Sequence, residues 1–230
     1  MADARARADV TAAVKRSYLG RMPVAAREAI VSASRIVKVP QRKYYVHIGE
    51  PERIGLFVTG LRRAFRVDDE GRDLTVAWLR VAAMIGLTAV VTPPSPISAQ
   101  AVTDSEVLDL PVPLIRELAH DDAAVAIVIA EFATAWLRHA VDEIVLYAYG
   151  DLRARVTRRL LELALKTPPD GPFIAPTTQD DLAQAVGGAR ASVARVLKEL
   201  RAEGAIRSMY GGILIEKPEA LAGSRNSRAA

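Results

Sequence analysis

Between Thr177 and Pro218 the chain reads TTQDDLAQAVGGARASVARVLKELRAEGAIRSMYGGILIEKP, and its caps, apolar stripes and glycines leave few ways to fold. Thr178 suits a helix N-cap, and Asp180 and Asp181 place negative charge at the positive end of that helix. Leu182, Ala183 and Val186 then fall on one inward face. The helix is expected to stop at Gly187-Gly188, where missing β-carbons permit a left-handed backbone and a tight turn. In a second helix Val193, Val196, Leu197 and Leu200 recur at i, i+3, i+4 and i+7. They make one buried stripe, with Ala191, Arg195, Lys198 and Ala202 on the opposite side. Glu203-Gly204 closes this helix. Two short apolar runs, Ala205 to Ser208 and Ile213 to Glu216, flank Gly211-Gly212, a diglycine suited to the positive φ angles of a hairpin turn.

Helix, tight turn, helix and hairpin in this order are the layout of a winged helix-turn-helix, which sets one helix in the DNA major groove. Arginine near the start of such a helix can fork onto guanine O6 and N7. Arg190 and Arg195 are therefore the expected base readers. Ser192, Lys198 and the wing, with Tyr210 at its tip, are expected against phosphates, and Thr178 joins the DNA-binding set at the start of the first helix. Taken singly these are ordinary surface residues; the complete spacing carries the reading. Charge placement agrees with it: residues 151–230 hold 13 Lys and Arg against 9 Asp and Glu, while residues 1–150 hold 18 of each.

A length of 230 residues with 50% hydrophobic content suits two domains with sizeable cores. The absence of cysteine excludes disulfides, thiolate zinc sites and cysteine-ligated iron–sulfur clusters. No signal-peptide pattern opens the chain. The apolar runs Val81 to Val91 and Ala123 to Ala130 are too short to span a bilayer. A cytoplasmic protein with no membrane partner is expected, its opening ADARARAD and closing AGSRNSRAA being mobile tails. His47, His120 and His139 have no metal-ligand spacing, so no metal and no cofactor are expected. Ser95, Ser98 and Asp104 lack a placed histidine, which leaves no catalytic triad and no case for an enzyme.

Upstream the hydrophobic period changes twice. A short helix is expected over Val24 to Ser34. Strands follow at Ile36 to Val39, Tyr44 to His47, Gly55 to Thr59, Arg63 to Val67 and Leu74 to Leu79, punctuated by turn residues. This predicts a compact β-roll or barrel. From Asp121 to about Tyr149 there is neither Pro nor Gly, predicting one long helix. On it Ile127, Ala130, Thr134, Leu137, Val141, Ile144 and Ala148 alternate steps of three and four, the spacing of a coiled-coil seam. Thr134, Leu137, Val141 and Ile144 are the expected dimer contacts, while Phe132 and Trp136 point to another side, towards the roll.

The order of VHIGEP at 46–51, LFVTG at 56–60, EGRDLTVAWL at 70–79, AQAVTDSEVLDLP at 99–111, DLRARVTRRLLELA at 151–164 and the helix-turn-helix resembles the Crp/Fnr family of bacterial transcription regulators. The resemblance implies an α+β chain in three parts: a cyclic-nucleotide-binding-like β-roll at 1–120, a dimerisation helix at 121–150 and a winged helix-turn-helix at 151–230. It further implies a homodimer on palindromic double-stranded DNA, with RNA polymerase as a partner and an effector left unidentified.

Two departures from the family pattern stand out. Members that bind cyclic nucleotides hold the ribose with a Gly-Glu pair and the phosphate with a downstream Arg. Here Gly86 is followed by Leu87, the Arg position falls on Ser95, and no Arg or Lys occurs between Val81 and Leu114. A buried phosphate without a cation is costly, so dependence on cyclic AMP is not expected. The remodelled pocket would be lined by Leu87, Val90, Val91, Ser95, Ala140 and Val141, a predominantly apolar set. The family's Ser-Arg-Glu in the reading helix is Ala189, Arg190 and Ala191, which removes the glutamate acceptor for cytosine N4. The alternative is a haem- or small-molecule-sensing module, with His47 or His139 as a haem ligand.

Overall fold

The computed structural model describes residues 2–48, 52–71, 73–92, 96–166 and 171–222. The chain forms two compact units, residues 1–140 and 141–230. The closing stretch expected to be a tail lies, from residue 223 on, outside the described residues.

The first unit opens with α1, Ala2–Arg16, so the expectation of a mobile N-terminal tail is corrected. Val10, Ala13 and Val14 fall at i, i+3 and i+4 and pack into an apolar cluster, which anchors a segment whose first residues look too polar to fold. A 3-10 turn, Tyr18–Arg21, precedes α2, Val24–Ser32. The strands are β1 Arg35–Val39, β2 Tyr44–Val46, β3 Ile54–Thr59, β4 Arg62–Val67, β5 Asp73–Leu79, β6 Met84–Ile85, β7 Ser98–Ala101 and β8 Ser105–Leu110. They form two antiparallel sheets in the orders β1-β8-β3-β6 and β2-β7-β4-β5. One buried cluster draws a side chain from each of the eight: Val39, Tyr45, Phe57, Ala64, Ala77, Ile85, Ala99 and Val107. The sheets therefore share an interior, and the expected roll is present.

A second cluster lies under the helices. It joins Leu56, Leu108 and Leu110 from the first sheet to Ile30 of α2, to Ile115 of α3 (Val112–Asp121), and to Val125, Val128, Ile129 and Phe132 of α4 (Ala123–Tyr149). The break between α3 and α4 comes at Asp122, whose carboxylate accepts from the Ala124 amide at 2.8 Å, so α4 starts just after the Asp121 expected from sequence. Tyr18 meets Phe132 edge to face with centroids 5.3 Å apart, and Arg21 pairs with Glu131 at 2.8 Å.

The opposite face of α4 carries the predicted seam. Ile127, Ala130, Thr134, Leu137, Val141, Ile144 and Ala148 are all exposed, Leu137 and Ile144 by 65% each. This helix also corrects the expectation that no apolar stretch reaches the length of a bilayer span. Although the run Ala123 to Ala130 is short, the whole helix is by length and mean hydropathy long and apolar enough to cross a membrane.

The second unit comprises the end of α4, then α5 Leu152–Leu163, β9 Leu165–Lys166, β10 Phe173–Ala175, α6 Gln179–Ala185, α7 Arg190–Ala202, β11 Ile206–Met209, β12 Gly212–Ile215 and α8 Pro218–Ala222. Its sheet runs β11-β12-β10-β9. The core beneath α6 and α7 is built from Val156, Leu160, Leu182, Val186, Val193, Leu197 and Leu200, all buried.

Candidate nucleic-acid interface

Local chemistry sets each end of the reading helices. Thr178 Oγ1 accepts from the Asp181 amide at 3.1 Å while the Asp181 carboxylate accepts from the Thr178 amide, a reciprocal capping box at the start of α6. Thr178 is thus occupied as a cap, although it remains exposed. The turn after α6 uses its two glycines differently. Gly187 adopts φ +61, whereas Gly188 does not have a positive φ; a β-carbon there would stand 2.8 Å from Leu152 Cδ1, the movable end of a side chain. The expectation that both glycines relieve a left-handed backbone is corrected to one.

On α7 the stripe of Val193, Val196, Leu197 and Leu200 is buried, and Ala191, Arg195, Lys198 and Ala202 are exposed. Ser192 is half-buried. Arg195 and Lys198 stand three residues apart on the outer face, and no ion pair engages either among the described residues. Arg190 differs, because its Nε pairs with Asp180 Oδ1 at 2.8 Å. Part of its guanidinium is therefore already directed towards α6. The N-cap of α7, Ala189, offers no side-chain acceptor.

The wing is one residue out of step with the sequence expectation. Met209 pairs with Gly212, so the turn is Tyr210-Gly211 and Gly212 belongs to β12. Gly211 has φ +80, while Gly212 is glycine because a β-carbon would stand 2.5 Å from the Ala175 carbonyl oxygen. Tyr210 is fully exposed at the tip.

Beneath this surface lies a polar network that the sequence reading missed. Arg159 of α5 is buried, and its guanidinium donates to Glu143 at 2.8 Å, to Glu162 at 2.6 Å and to the Tyr147 hydroxyl at 3.1 Å. Burial opposes the charge, but the Glu162 and Glu143 carboxylates outweigh it and hold the guanidinium above its ordinary pKa. The Tyr147 hydroxyl donates to the Ala185 carbonyl and Arg155 to the Val186 carbonyl, each at 3.0 Å. These satisfy carbonyls left open at the end of α6. The pairing of Arg159 with Glu162 at i+3 was visible as a helix pattern; the Glu143 partner, sixteen residues away, was not. Arg153 of α5 also reaches Glu203 beyond the end of α7 at 2.6 Å, a bond that raises the arginine pKa and lowers that of the carboxyl.

The effector-pocket residues are less gathered. Gly86 is left-handed at φ +78, and a β-carbon there would collide with the Arg53 carbonyl oxygen. Leu87 and Val90 follow on one 3-10 turn and are both buried in the cluster under the helices. Val91, Ala140 and Val141 are exposed, and Ser95 lies outside the described residues. The histidines are engaged locally. His139 Nε2 lies 2.8 Å from the Val76 carbonyl oxygen, His120 pairs with Asp121, and His47 Nδ1 lies 2.9 Å from the Ile48 carbonyl oxygen. A hydrogen bond to the Val76 carbonyl requires the proton on His139 Nε2.

A β-roll, a long helix and a winged helix-turn-helix with a solvent-facing basic face define a class: DNA-binding regulators with a sensor-like domain. Comparison with known proteins agrees. Residues 154–223 match the Crp-like helix-turn-helix domain and residues 36–122 the cyclic nucleotide-binding domain. The transcriptional regulator SdrP of Thermus thermophilus is 34% identical over 169 residues, 72% of this chain and 80% of that protein. The cAMP-activated global transcriptional regulator CRP of Salmonella typhimurium is 27% identical over 195 residues, 82% of this chain and 92% of that protein. Among solved structures, the Crp/Fnr-family regulator TTHA1359, also of Thermus thermophilus, superposes with a TM-score of 0.68 at 29% identity, over 84% of this chain and all of that one. FixK2 of Bradyrhizobium japonicum shares the fold, with a TM-score of 0.73 at 23% identity over 83% and 96%. The chain belongs to the Crp/Fnr family of transcriptional regulators. These relatives are regulators of transcription and not enzymes.

Proposed function

We propose that the protein acts in the cytoplasm as a homodimer on palindromic DNA sites, without requiring cyclic AMP, and communicates with RNA polymerase there. The observation that carries the dimer is the exposure of all seven seam positions on α4 while Val125, Val128, Ile129 and Phe132 of the same helix are buried. A second copy covers that stripe and sets two reading helices on the two halves of a palindrome. A membrane is the other apolar environment able to cover it, but α4 is pinned to its own unit through Glu131 and His139.

Within the reading helix, Arg195 reads a guanine and Lys198, Ser192 and the wing residue Tyr210 contact the backbone, with Thr178 near a phosphate at the start of α6. Arg190 reads a second base once released from Asp180. Independence from cyclic AMP is supported by Leu87, buried where the family's ribose-binding acid would stand, and by the lack of Arg and Lys from 81 to 114. Selection from a randomised-site library tests the DNA reading. Wild type enriches a two-fold symmetric site, and Arg195→Ala loses about 1–3 kcal/mol of preference at one guanine, whereas Lys198→Ala weakens all sequences alike. Identical specificity profiles for wild type and Arg195→Ala reject the assignment.

A further inference from the structure

The Lys and Arg side chains of the winged unit sort by what they face. Along α5, Arg153 pairs with Glu203, Arg155 donates to the Val186 carbonyl, and Arg158 and Arg159 both pair with Glu162. All four are answered by the chain itself. Arg195 and Lys198 stand on the reading face of α7. Arg201 and Lys217 belong to neither group: both are exposed, and no ion pair engages either among the described residues.

These two cations line one groove with Gly204, Ile206, Arg207 and Glu216, a recess of about 520 Å³. Backbone frames it. The Glu216 and Lys217 amides both donate to the Ala205 carbonyl, at 2.9 and 3.2 Å, which ties the end of the hairpin to the end of α7. Gly204 adopts φ +66, and beyond its chain neighbours a β-carbon there would meet only the Lys217 ammonium nitrogen, at 3.7 Å. The floor beside Lys217 is therefore open. Arg207 is already engaged by Glu216 at 3.1 Å, so the unanswered charge of the groove is that of Arg201 and Lys217.

The groove lies off the reading surface. At a rise of about 1.5 Å per residue, Arg201 stands about 9 Å beyond Arg195 along α7. Ile206 pairs with Ile215 at the opposite end of the hairpin from the Tyr210-Gly211 tip. A DNA strand held by Arg195, Lys198 and the tip leaves this end of the unit free. We propose that the groove docks an acidic segment of a partner protein, its carboxylates on Arg201 and Lys217 and its backbone across Gly204. Charge complementarity selects that occupant, because clustered cations on a fixed frame recognise acidic motifs and turn away basic ones. The inference goes beyond the DNA reading and does not depend on it.

The probe is a fluorescein-labelled decapeptide of alternating Asp and Glu, titrated with the full chain by fluorescence anisotropy. Salt is held at about 0.15 M, where exposed charges more than about 8 Å apart are largely screened. The control peptide carries Asn and Gln in the same order. The acidic peptide binds wild type and the neutral one does not. Its affinity falls about tenfold in Arg201→Gln/Lys217→Gln, and less than about twofold in Arg195→Gln/Lys198→Gln, which removes the same charge from the reading face. Either groove substitution alone gives a partial loss, which keeps the result readable should the double variant not fold. The proposal is overturned if wild type does not bind the acidic peptide, if the neutral peptide binds equally, or if affinity survives the groove substitutions. An equal loss in the reading-face pair also overturns it, since the peptide would then be acting as a mimic of DNA.

Discussion

Two fully buried arginines, Arg62 and Arg159, contrast the two units. Arg159, beneath the DNA-reading helices, sits between Glu143 and Glu162 and helps position groups that close the end of α6. Arg62, inside the roll, has two carbonyl oxygens, one ring face and, among the described residues, no carboxylate. In the winged unit the buried charge is answered within the chain, as expected of a scaffold that must hold a reading surface rigid. In the roll no carboxylate answers it among the described residues, and residues 81–114 contain no Arg or Lys. The two units thus stabilise a buried cation in different ways, one with carboxylates of its own and the other with carbonyl oxygens and a ring face.

The largest expected effect tests the first half of that contrast. Arg159→Met strands Glu143 and should cost about 3–5 kcal/mol in urea unfolding, with Glu143→Gln in the same chain restoring part of the loss. A change below about 1 kcal/mol would show that the pair is not a keystone of the winged unit. Next come Leu137→Asp and Ile144→Asp, which place a carboxylate in the dimer seam without compensation. Sedimentation should show dissociation to monomers and a parallel loss of operator affinity. An unchanged dimer in both variants would move the interface away from this face of α4.

A smaller effect probes the roll. Asp109 is opposed by burial, yet hydrogen bonds from Tyr45 at 2.6 Å, Arg53 at 3.2 Å and Arg35 at 3.1 Å together hold its carboxyl below the ordinary range. A lowered folded pKa contributes stability that is present above the unfolded value of about 3.9 and is lost as pH falls through the folded one. The stability gap between wild type and Asp109→Asn should therefore be widest near neutrality and narrow steadily below about pH 4. A gap that is constant with pH would assign the aspartate a packing role.

Most of the winged unit was legible because its constraints are local: a cap three residues from its partner, a 3.6-residue stripe, glycines at turns. Even there the pattern presents Gly212 as a turn residue, whereas its constraint is a neighbour distant in sequence, the Ala175 carbonyl. The first five strands were legible from alternation and turn residues. β7, reading SAQA, was not, since its residues have low strand preference and its place comes from pairing with β2 and β4. The same applies to α1, whose Ala- and Arg-rich start hides three packed residues. Arg62 lay unnoticed in an ordinary run, LRRAF, because a strand's alternation does not reveal which side is wholly enclosed.

The proposal that this family member reads DNA without cyclic AMP can be measured at the operator itself. Its most direct test is the affinity of the full chain for its selected palindromic site, titrated with and without cyclic AMP at about 1 mM and at fixed salt, since phosphate contacts make the affinity salt-dependent. Specific binding by a dimer with the same Kd is expected in both titrations. An affinity rising tenfold or more with cyclic AMP and not with AMP, about 1.4 kcal/mol of coupling, would contradict it and restore nucleotide recognition to the roll.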